Sequence, residues 1–390
     1  MTPKPILALA GGHTQKAMWP ALAEHYRLAF LDTAAANLAG EMGLEGIMRI
    51  EGFLDGERFN QAKNEAMWAS EKVMAALKNG LVLDHAVPEL NSKMPKWLPL
   101  FFRDQAEAAM VRLAAVDACF AKEKPVGVLV HEDVTSESRA LVLYAKEHGV
   151  PTLHLPHANH FLKARTTDIH SQITAEHMAF YGEYMADWYG VPGTRVGAPQ
   201  WDWLYHDIKI PTKEIARRGM GIVDGTKTLT YATTWFQMTS VFGKGADDLE
   251  AAWLRMLEAA KTLKAFLIVK MHPGEQANQE KHYEEGMKKA EVHGAIMRQN
   301  TEWALRAADC VIVQGPSNVG VEAAILGTPV VELYQYGARY PEWGPSGTWG
   351  EDLVQKIEAA TPNPEFVRRI LDHPGEATEH AVEWVRGICK

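Results

Sequence analysis

Glycine and polar residues follow the apolar segments of the second half of the chain, at the point where each segment ends. In the stretch Ala308–Leu333, an apolar run leads into a loop with Gly315, Ser317 and Asn318 and then into a helical pattern. The free N–H groups and the dipole at the start of such a helix favour a diphosphate. Glu322 lies about one turn inside this helix, where its carboxylate can accept hydrogen bonds from ribose hydroxyls. The alternative interpretation is that Ser317 or Asn318 only caps the helix.

Two more motifs of this kind support a binding role for that loop. His272 and Pro273 follow one apolar segment, and Thr233 and Thr234 follow another. A histidine at a strand end can donate a hydrogen bond to a phosphate oxygen without a metal. Because the carboxyl ends of parallel strands meet at one edge of a sheet, these motifs predict one site for a phosphate-bearing ligand such as a nucleotide. The predicted donor- and nucleotide-binding residues are His272, Pro273, Gly315, Ser317, Asn318, Glu322, Thr233, Thr234 and Gly12.

The first half of the chain supplies a separate group of acids and bases at its strand ends. A general acid or base must lie within hydrogen-bond reach of the proton that it moves. The predicted catalytic residues are Asp133, His157, His131 and Glu132. Asp133 has the equally weighted alternative of capping the helix that follows it.

Three further residues are predicted on the acceptor side of the site. His13 follows the first glycine pair, with a simple turn residue as its alternative. Trp201 and Trp235 lie in loops, where an aromatic face can stack on a sugar or a base. For each tryptophan alone, ordinary packing is the competing interpretation.

A metal site is not predicted from the histidine spacing. His154, His157 and His160 are three residues apart, but Pro156 interrupts any helical face that they would share. The chain has neither an H-E-x-x-H nor an Asp-x-Asp motif. We expect no metal and no cofactor other than the activated donor.

Alternation of apolar strands and helices predicts an α/β protein built from two doubly wound domains. The predicted N-terminal domain spans residues 1–200 and carries the acceptor side, with a helical insertion at about 55–122. The predicted C-terminal domain spans 210–375 and binds the donor. A final amphipathic helix in 376–390 is expected to pack back on the N-terminal domain. The two sets of strand ends would face each other across a cleft.

Composition limits the class of protein further. The chain has 390 residues, 47% of them hydrophobic, and a formal net charge of −9. This charge disfavours a nucleic-acid or anionic-membrane partner, since both require a basic face. The three cysteines are far apart, and no apolar run approaches the ~20 residues of a membrane span. We therefore expect a cytoplasmic protein, with a homodimer left open.

The order of these motifs resembles the GT-B glycosyltransferase superfamily. Within it, the chain is similar to the branch with non-hydrolysing UDP-N-acetylglucosamine 2-epimerases and CDP-glycerol glycerophosphotransferase-like enzymes. The segments that carry the resemblance are Lys124–Ala158, "VGAPQWDWL", "VKMHPGE" and "GPSNVGVEAAILGTPVVEL". The resemblance implies two Rossmann-like lobes, a nucleotide in the C-terminal lobe and, at Asp133, a site carboxylate. Asp133 is therefore the favoured base and His157 the next candidate.

Departures from the epimerase pattern favour a transferase. In the segment Lys124–Ala158, the residues at and after the second strand are His154-Leu155-Pro156-His157-Ala158. The epimerases have a glutamate in this loop, and this chain does not. Thr233-Thr234-Trp235 replaces their His-Arg-Arg-Glu run. The expected activity is metal-independent transfer of a sugar or related group from a UDP-, CMP- or CDP-type donor to a glycan or small-molecule acceptor. The alternatives are a UDP-N-acetylhexosamine 2-epimerase-like isomerase or hydrolase, a DNA-base glycosyltransferase, and a non-catalytic nucleotide-sugar-binding protein.

Overall fold

Two parallel sheets with flanking helices form two lobes in a computed structural model of the chain. The structure describes residues 4–12, 15–78, 98–132, 135–158, 173–206, 209–234, 245–334 and 339–390. The strands of the first lobe are β1 (Ile6–Ala10), β2 (Arg27–Phe30), β3 (Met48–Arg49), β4 (Gly127–Val130), β5 (Thr152–His154), β6 (His177–Phe180) and β7 (Thr194–Arg195). The strands of the second lobe are β8 (Thr228–Ala232), β9 (Phe266–Lys270), β10 (Gly294–Met297), β11 (Cys310–Gln314), β12 (Val330–Leu333) and β13 (Ser346–Thr348).

Helices connect the strands of both lobes. Those of the first lobe and its exit segment are α1 (Trp19–His25), α2 (Thr33–Glu41), α3 (Gly56–Lys78), α4 (Leu98–Lys122), α5 (Ser136–Glu147), α6 (Glu183–Tyr189) and α7 (Trp203–His206). Those that follow are α8 (Lys213–Gly219), α9 (Gly245–Thr262), α10 (Ala277–Ala290), α11 (Thr301–Ala307), α12 (Asn318–Ile325), α13 (Leu353–Ala359), α14 (Pro364–Ile370) and α15 (Ala377–Ile388).

Both sheets have the doubly wound strand order. The first sheet runs β3-β2-β1-β4-β5-β6-β7 and the second β10-β9-β8-β11-β12-β13. In each sheet the chain moves outward from a central strand and then returns to its other side. The resulting switch points lie between β1 and β4 and between β8 and β11, where open α/β sheets bind ligands. The predicted fold class is confirmed.

The helical insertion interrupts the first lobe between β3 and β4. Its two long helices, α3 and α4, pack on each other, and small side chains such as Ala62 and Ala66 are buried on α3. Residues 79–97 of the insertion, which include Pro88 and Pro95, lie outside the described residues. The insertion leaves the doubly wound order of the sheet unchanged, since β4 still pairs with β1.

The C-terminal helix α15 is tied to the first lobe and to the segment between the lobes. Asp202, in that segment, accepts hydrogen bonds from the backbone N–H groups of Ala377 and Thr378 at 3.1 and 2.6 Å. At the other end, the Tyr26 hydroxyl donates to the carbonyl of Cys389 at 2.9 Å. A carboxylate at a helix start stabilises the helix by about 1 kcal/mol. The apolar face of α15 is buried through Ala381, Val382 and Val385.

One carboxyl group lies inside the second sheet. Glu332 belongs to β12 and is only 1% exposed. Its Oε2 accepts a hydrogen bond from the backbone N–H of Tyr340 at 3.1 Å. Burial raises the pKa of Glu332 from 4.5 to about 7, and the Tyr340 bond opposes this effect.

This buried carboxyl predicts a component of stability that depends on pH. Because the native state retains a proton that the unfolded chain releases, the free energy of unfolding falls as pH rises from 4.5 to about 7. We expect Glu332→Gln to remove this component, on the order of 3 kcal/mol. Denaturant unfolding of both proteins across this pH range measures it. Curves with identical pH dependence would contradict the assignment.

Candidate functional site

A buried carboxylate fixes the His272 loop at the end of β9. Glu275 is 4% exposed, and its Oε2 accepts hydrogen bonds from the His272 backbone N–H at 2.8 Å and from the Thr233 hydroxyl. Its Oε1 accepts from the Tyr283 hydroxyl at 2.7 Å. The loop after β9 is therefore held to the end of β8 and to α10. Thr233 contributes to the site by holding this loop.

The His272 imidazole is held in one tautomer. Its Nδ1 accepts a hydrogen bond from the Gly274 backbone N–H at 3.0 Å, so the proton of the neutral ring is on Nε2. Burial lowers the pKa of His272, an effect that Lys270 increases and Glu275 opposes. At neutral pH the ring thus presents an N–H donor of the kind that can contact a phosphate oxygen. Pro273 is exposed beside it in the same turn.

A buried lysine that the sequence analysis did not single out supports the same loop. Lys270 ends β9, is 5% exposed, and donates from Nζ to the carbonyls of Met271 and Arg298 at 2.9 and 3.0 Å. Burial lowers the pKa of Lys270, while Glu322 and Glu275 raise it. The signal in the sequence was a lysine that ends an apolar strand directly before the His-Pro motif.

The loop after β11 delivers a helix N-terminus to the same edge of the sheet. Gly315 has a φ of +68°, a left-handed conformation that favours glycine. Ser317 occupies the N-cap position of α12, but its side chain makes no capping hydrogen bond. The Tyr340 hydroxyl instead accepts from the Ser317 N–H at 3.1 Å and donates to the Ser317 carbonyl at 2.8 Å. Asn318 is the first residue of the helix.

Glu322 and Trp201 contact each other between the lobes. The Trp201 indole N–H donates to Glu322 Oε1 at 3.3 Å. Burial raises the pKa of Glu322 to about 7, and the Trp201 bond and Lys270 oppose this effect. Trp201 is 2% exposed and belongs to the hydrophobic core. Trp201 was predicted to offer an open aromatic face to an acceptor. It does not do so, because its ring is packed within the segment that joins the lobes.

The first lobe brings Gly12 and His131 together at its own switch point. The Gly12 backbone N–H donates to His131 Nδ1 at 3.3 Å. Gly11 has a φ of +145°, and a Cβ there would lie 2.4 Å from His131 Nδ1. The close approach of the glycine loop therefore requires the absence of a side chain. Gly12 belongs to this first-lobe cluster.

Glu132 lies between two imidazoles. Its Oε2 is 3.5 Å from His157 Nδ1 and its Oε1 is 4.0 Å from His131 Nε2. The two histidine rings are 5.5 Å apart between centroids. Three of the four predicted catalytic residues are thus neighbours. The remaining one, Asp133, and the predicted acceptor-side residues His13 and Trp235 lie outside the described residues.

Cavities adjoin both groups of residues. One of about 390 Å³ opens beside His131 and Glu132 and is also lined by Asp32, Glu51 and Arg112. A second, of about 310 Å³, lies in the other lobe. Its lining includes the predicted residue Thr234 together with Tyr231, Trp253, Gln276, Tyr283 and Gln314.

A path of contacts joins the two lobes at these sites. The Tyr181 hydroxyl donates to the carbonyl of Pro156, the residue before His157. Gln200 donates from Nε2 to the Tyr181 hydroxyl at 2.8 Å. The next residue, Trp201, packs edge-on against Tyr181 with ring centroids 5.5 Å apart and bonds Glu322. The His157 loop and the donor helix α12 are therefore connected through four side chains of one network.

Within the described residues, no group of three histidine, cysteine or acidic side chains has the arrangement of a metal site. His154 is buried in β5, and His160 lies outside the described ranges. None of the helices in the described part of the chain is long and apolar enough to cross a bilayer.

Two doubly wound lobes with their switch points joined in this way define the GT-B fold. Comparison with family models and with curated proteins found no match. Solved structures are similar over nearly the whole chain. UDP-GlcNAc 2-epimerase from Methanocaldococcus jannaschii, in complex with UDP-GlcNAc and UDP, is 14% identical with a TM-score of 0.57, covering 98% of this chain and 99% of that one.

Two further solved structures have a similar fold. MurG from Acinetobacter baumannii is 13% identical with a TM-score of 0.53, covering 99% of this chain and 100% of that one. An H444N variant of the wall teichoic acid polymerase TagF is 11% identical with a TM-score of 0.51, covering 100% of this chain and 90% of that one. At these identities the similarities establish the fold, and the reaction must be argued from the site. The predicted resemblance to GT-B proteins is confirmed.

The Glu275 network predicts that two neighbouring carboxylates contribute very different amounts to the free energy of unfolding. Glu275→Ala removes three hydrogen bonds from the loop and should lower the free energy of unfolding by about 3 kcal/mol. Glu280 is the matched control, since it pairs with Arg298 at 2.9 Å on the surface. Glu280→Ala should cost less than about 1 kcal/mol. Denaturant unfolding compares the variants, and equal losses would show that Glu275 does not hold the loop.

Proposed function

We propose that the chain is a metal-independent glycosyltransferase that moves a sugar or related group from a nucleotide-activated donor to an acceptor hydroxyl. The observation that carries this proposal is the contact path from the His157 loop through Tyr181, Gln200 and Trp201 to Glu322. It links a basic group in one lobe to a nucleotide-type site in the other. Transfer between two substrates requires both groups at one cleft.

The donor side favours a nucleoside diphosphate. The N-terminus of α12 supplies backbone N–H groups and a positive dipole end, and Ser317 does not cap it with its side chain. His272 adds an imidazole donor at the neighbouring strand end. Glu322 is the candidate acceptor for the ribose hydroxyls. The epimerase structure of the same fold contains UDP-GlcNAc and UDP, which supports a donor of the same chemical class.

The acceptor side favours a hydroxyl nucleophile. The cavity beside His131 and Glu132 is lined by carboxylates and by Arg112, groups that hydrogen-bond well to a polyhydroxyl compound. Glu132 faces His157 Nδ1 and thereby favours the tautomer whose proton acceptor is Nε2. Among the described residues, His157 is therefore the best-supported base. Asp133, the favoured base from the sequence, is the competing candidate.

The proposed reaction is a displacement at the carbon that is transferred, with the acceptor hydroxyl as nucleophile and the nucleotide as leaving group. The base takes the acceptor proton as the acceptor oxygen bonds to the transferred carbon. The bond from that carbon to the donor phosphate breaks, and the nucleotide leaves with the electron pair. The α12 N–H groups and His272 stabilise the charge that develops on this phosphate.

A binding screen followed by a turnover assay tests the proposal. Among UDP, CMP, CDP, GDP and dTDP, we expect at least one to raise the midpoint of thermal unfolding. The matching nucleotide sugar should release nucleotide only with an acceptor present. His272→Ala should weaken nucleotide binding about tenfold, because a charge-assisted hydrogen bond is lost.

The control for this experiment is His293→Ala in the same lobe. His293 is exposed and directly precedes the parallel strand β10, at the opposite edge of the sheet from the strand end that carries His272, so its loss should leave nucleotide affinity unchanged. Sugar turnover without any acceptor would instead support an epimerase or hydrolase. Nucleotide binding with no turnover across an acceptor library would support a binding protein.

Two variants of the first lobe assign the base. His157→Gln should lower kcat by a factor of about 10² to 10⁴ while nucleotide affinity is retained, since the residue contacts the acceptor and not the donor. Asp133→Asn is measured in parallel by steady-state kinetics. Full activity in His157→Gln together with loss in Asp133→Asn would transfer the role of base to Asp133.

A further inference from the structure

Trp201 occupies a position that packing alone does not explain. It ends the 3₁₀ turn Pro199–Trp201, is 2% exposed, and directs its indole N–H at Glu322 Oε1, 3.3 Å away. Its ring contacts Tyr181 edge-on. Its neighbour Gln200 bonds the hydroxyl of the same tyrosine. A side chain from the segment between the lobes therefore forms a directed bond to a donor-site carboxylate.

The surroundings of Glu322 make that bond important for its charge. Lys270 on β9, Glu302 on α11 and Tyr340 from the segment after β12 are the titratable groups whose charges interact with it. Burial raises the pKa of Glu322 to about 7, the Trp201 bond and then Lys270 lower it, and Glu302 raises it. Without the indole N–H, the ionised carboxylate would lose a directed donor.

We propose that Trp201 is a positioning residue that favours the ionised form of the Glu322 carboxylate and orients it to accept hydrogen bonds from the vicinal diol of a donor ribose. The role rests on the proposed function, because it requires a nucleotide in the C-terminal lobe. It also gives the interlobe segment a part in donor recognition. Trp201 binds Glu322, and the adjacent residue Gln200 binds Tyr181, whose hydroxyl contacts the His157 loop. The same short segment therefore positions the donor-site carboxylate and the His157 loop.

A substitution that keeps the ring and removes the N–H isolates this role. Trp201→Phe retains an aromatic side chain against Tyr181 and loses the bond to Glu322. Trp19→Phe is the matched control, because Trp19 is fully buried and its Nε1 has no hydrogen-bond partner among the described residues. Both variants make the same chemical change, and only one of them touches Glu322.

The specific readout is the ratio of two affinities measured by calorimetry, that of the ribonucleotide selected by the screen, written here as UDP, and that of its 2′-deoxy analogue. Wild type and Trp19→Phe should bind UDP about tenfold more tightly than the deoxy analogue, the worth of one hydrogen bond to a charged group. In Trp201→Phe this ratio should fall to about twofold. The pH midpoint of UDP binding should also rise in Trp201→Phe, because the group that lowered the pKa of Glu322 is gone.

The outcomes separate this inference from the proposed function. Wild-type protein that binds none of the five nucleotides of the screen overturns both. Wild-type protein that prefers UDP over its deoxy analogue, with the same ratio and pH midpoint in Trp201→Phe, overturns the role of Trp201 alone. A reduced ratio in Trp19→Phe equal to that in Trp201→Phe would also overturn it, because the effect would then be general.

A measurement on the wild-type protein covers the case in which Trp201→Phe does not fold. The chain has 12 tryptophans, and the indole N–H signals are observed by NMR as pH is varied. One signal should titrate near neutral pH, and this titration should disappear in Glu322→Gln. If no indole signal titrates there, the proposal is wrong.

Discussion

The segment between the two sheets must bury its side chains against both lobes, and the rest of the site depends on this packing. Val196, Ala198, Trp201 and Leu204 are buried in a core that also contains residues of the second lobe such as Val321. Burial of this apolar surface stabilises the arrangement. This packing also fixes how the carboxyl ends of the strands in one lobe are oriented relative to those in the other. A flexible linker would leave that orientation undefined.

Two carboxylates in the second lobe show how burial produces different chemical roles. Glu275 receives three hydrogen bonds and holds the His272 loop. Glu322 has a tryptophan N–H and a more distant lysine, and its pKa is raised to about 7. A carboxylate with its acceptor sites filled by the protein is structural. One that is only partly compensated can still gain from a ligand's hydroxyl groups.

The sequence predicted those elements whose side chains repeat a clear pattern. The glycine loop after β11 was predicted because an apolar segment ends there in glycine and polar residues. The start of helix α10 at Ala277 has no such pattern, because a capping box of Gln276 and Gln279 begins it in a polar stretch. The two- and three-residue strands β3, β7 and β13 are too short to show any period.

By itself, the sequence determined the order of strand ends and the types of side chain that follow them. This is local information, because each apolar strand limits where its own loop begins. Only the tertiary structure decided the roles of Glu275, Lys270 and Trp201. Glu275 meets Thr233 across 42 residues, and Trp201 meets Glu322 across 121. Such contacts depend on how the two sheets and their connecting segment pack, and no single stretch of sequence contains them.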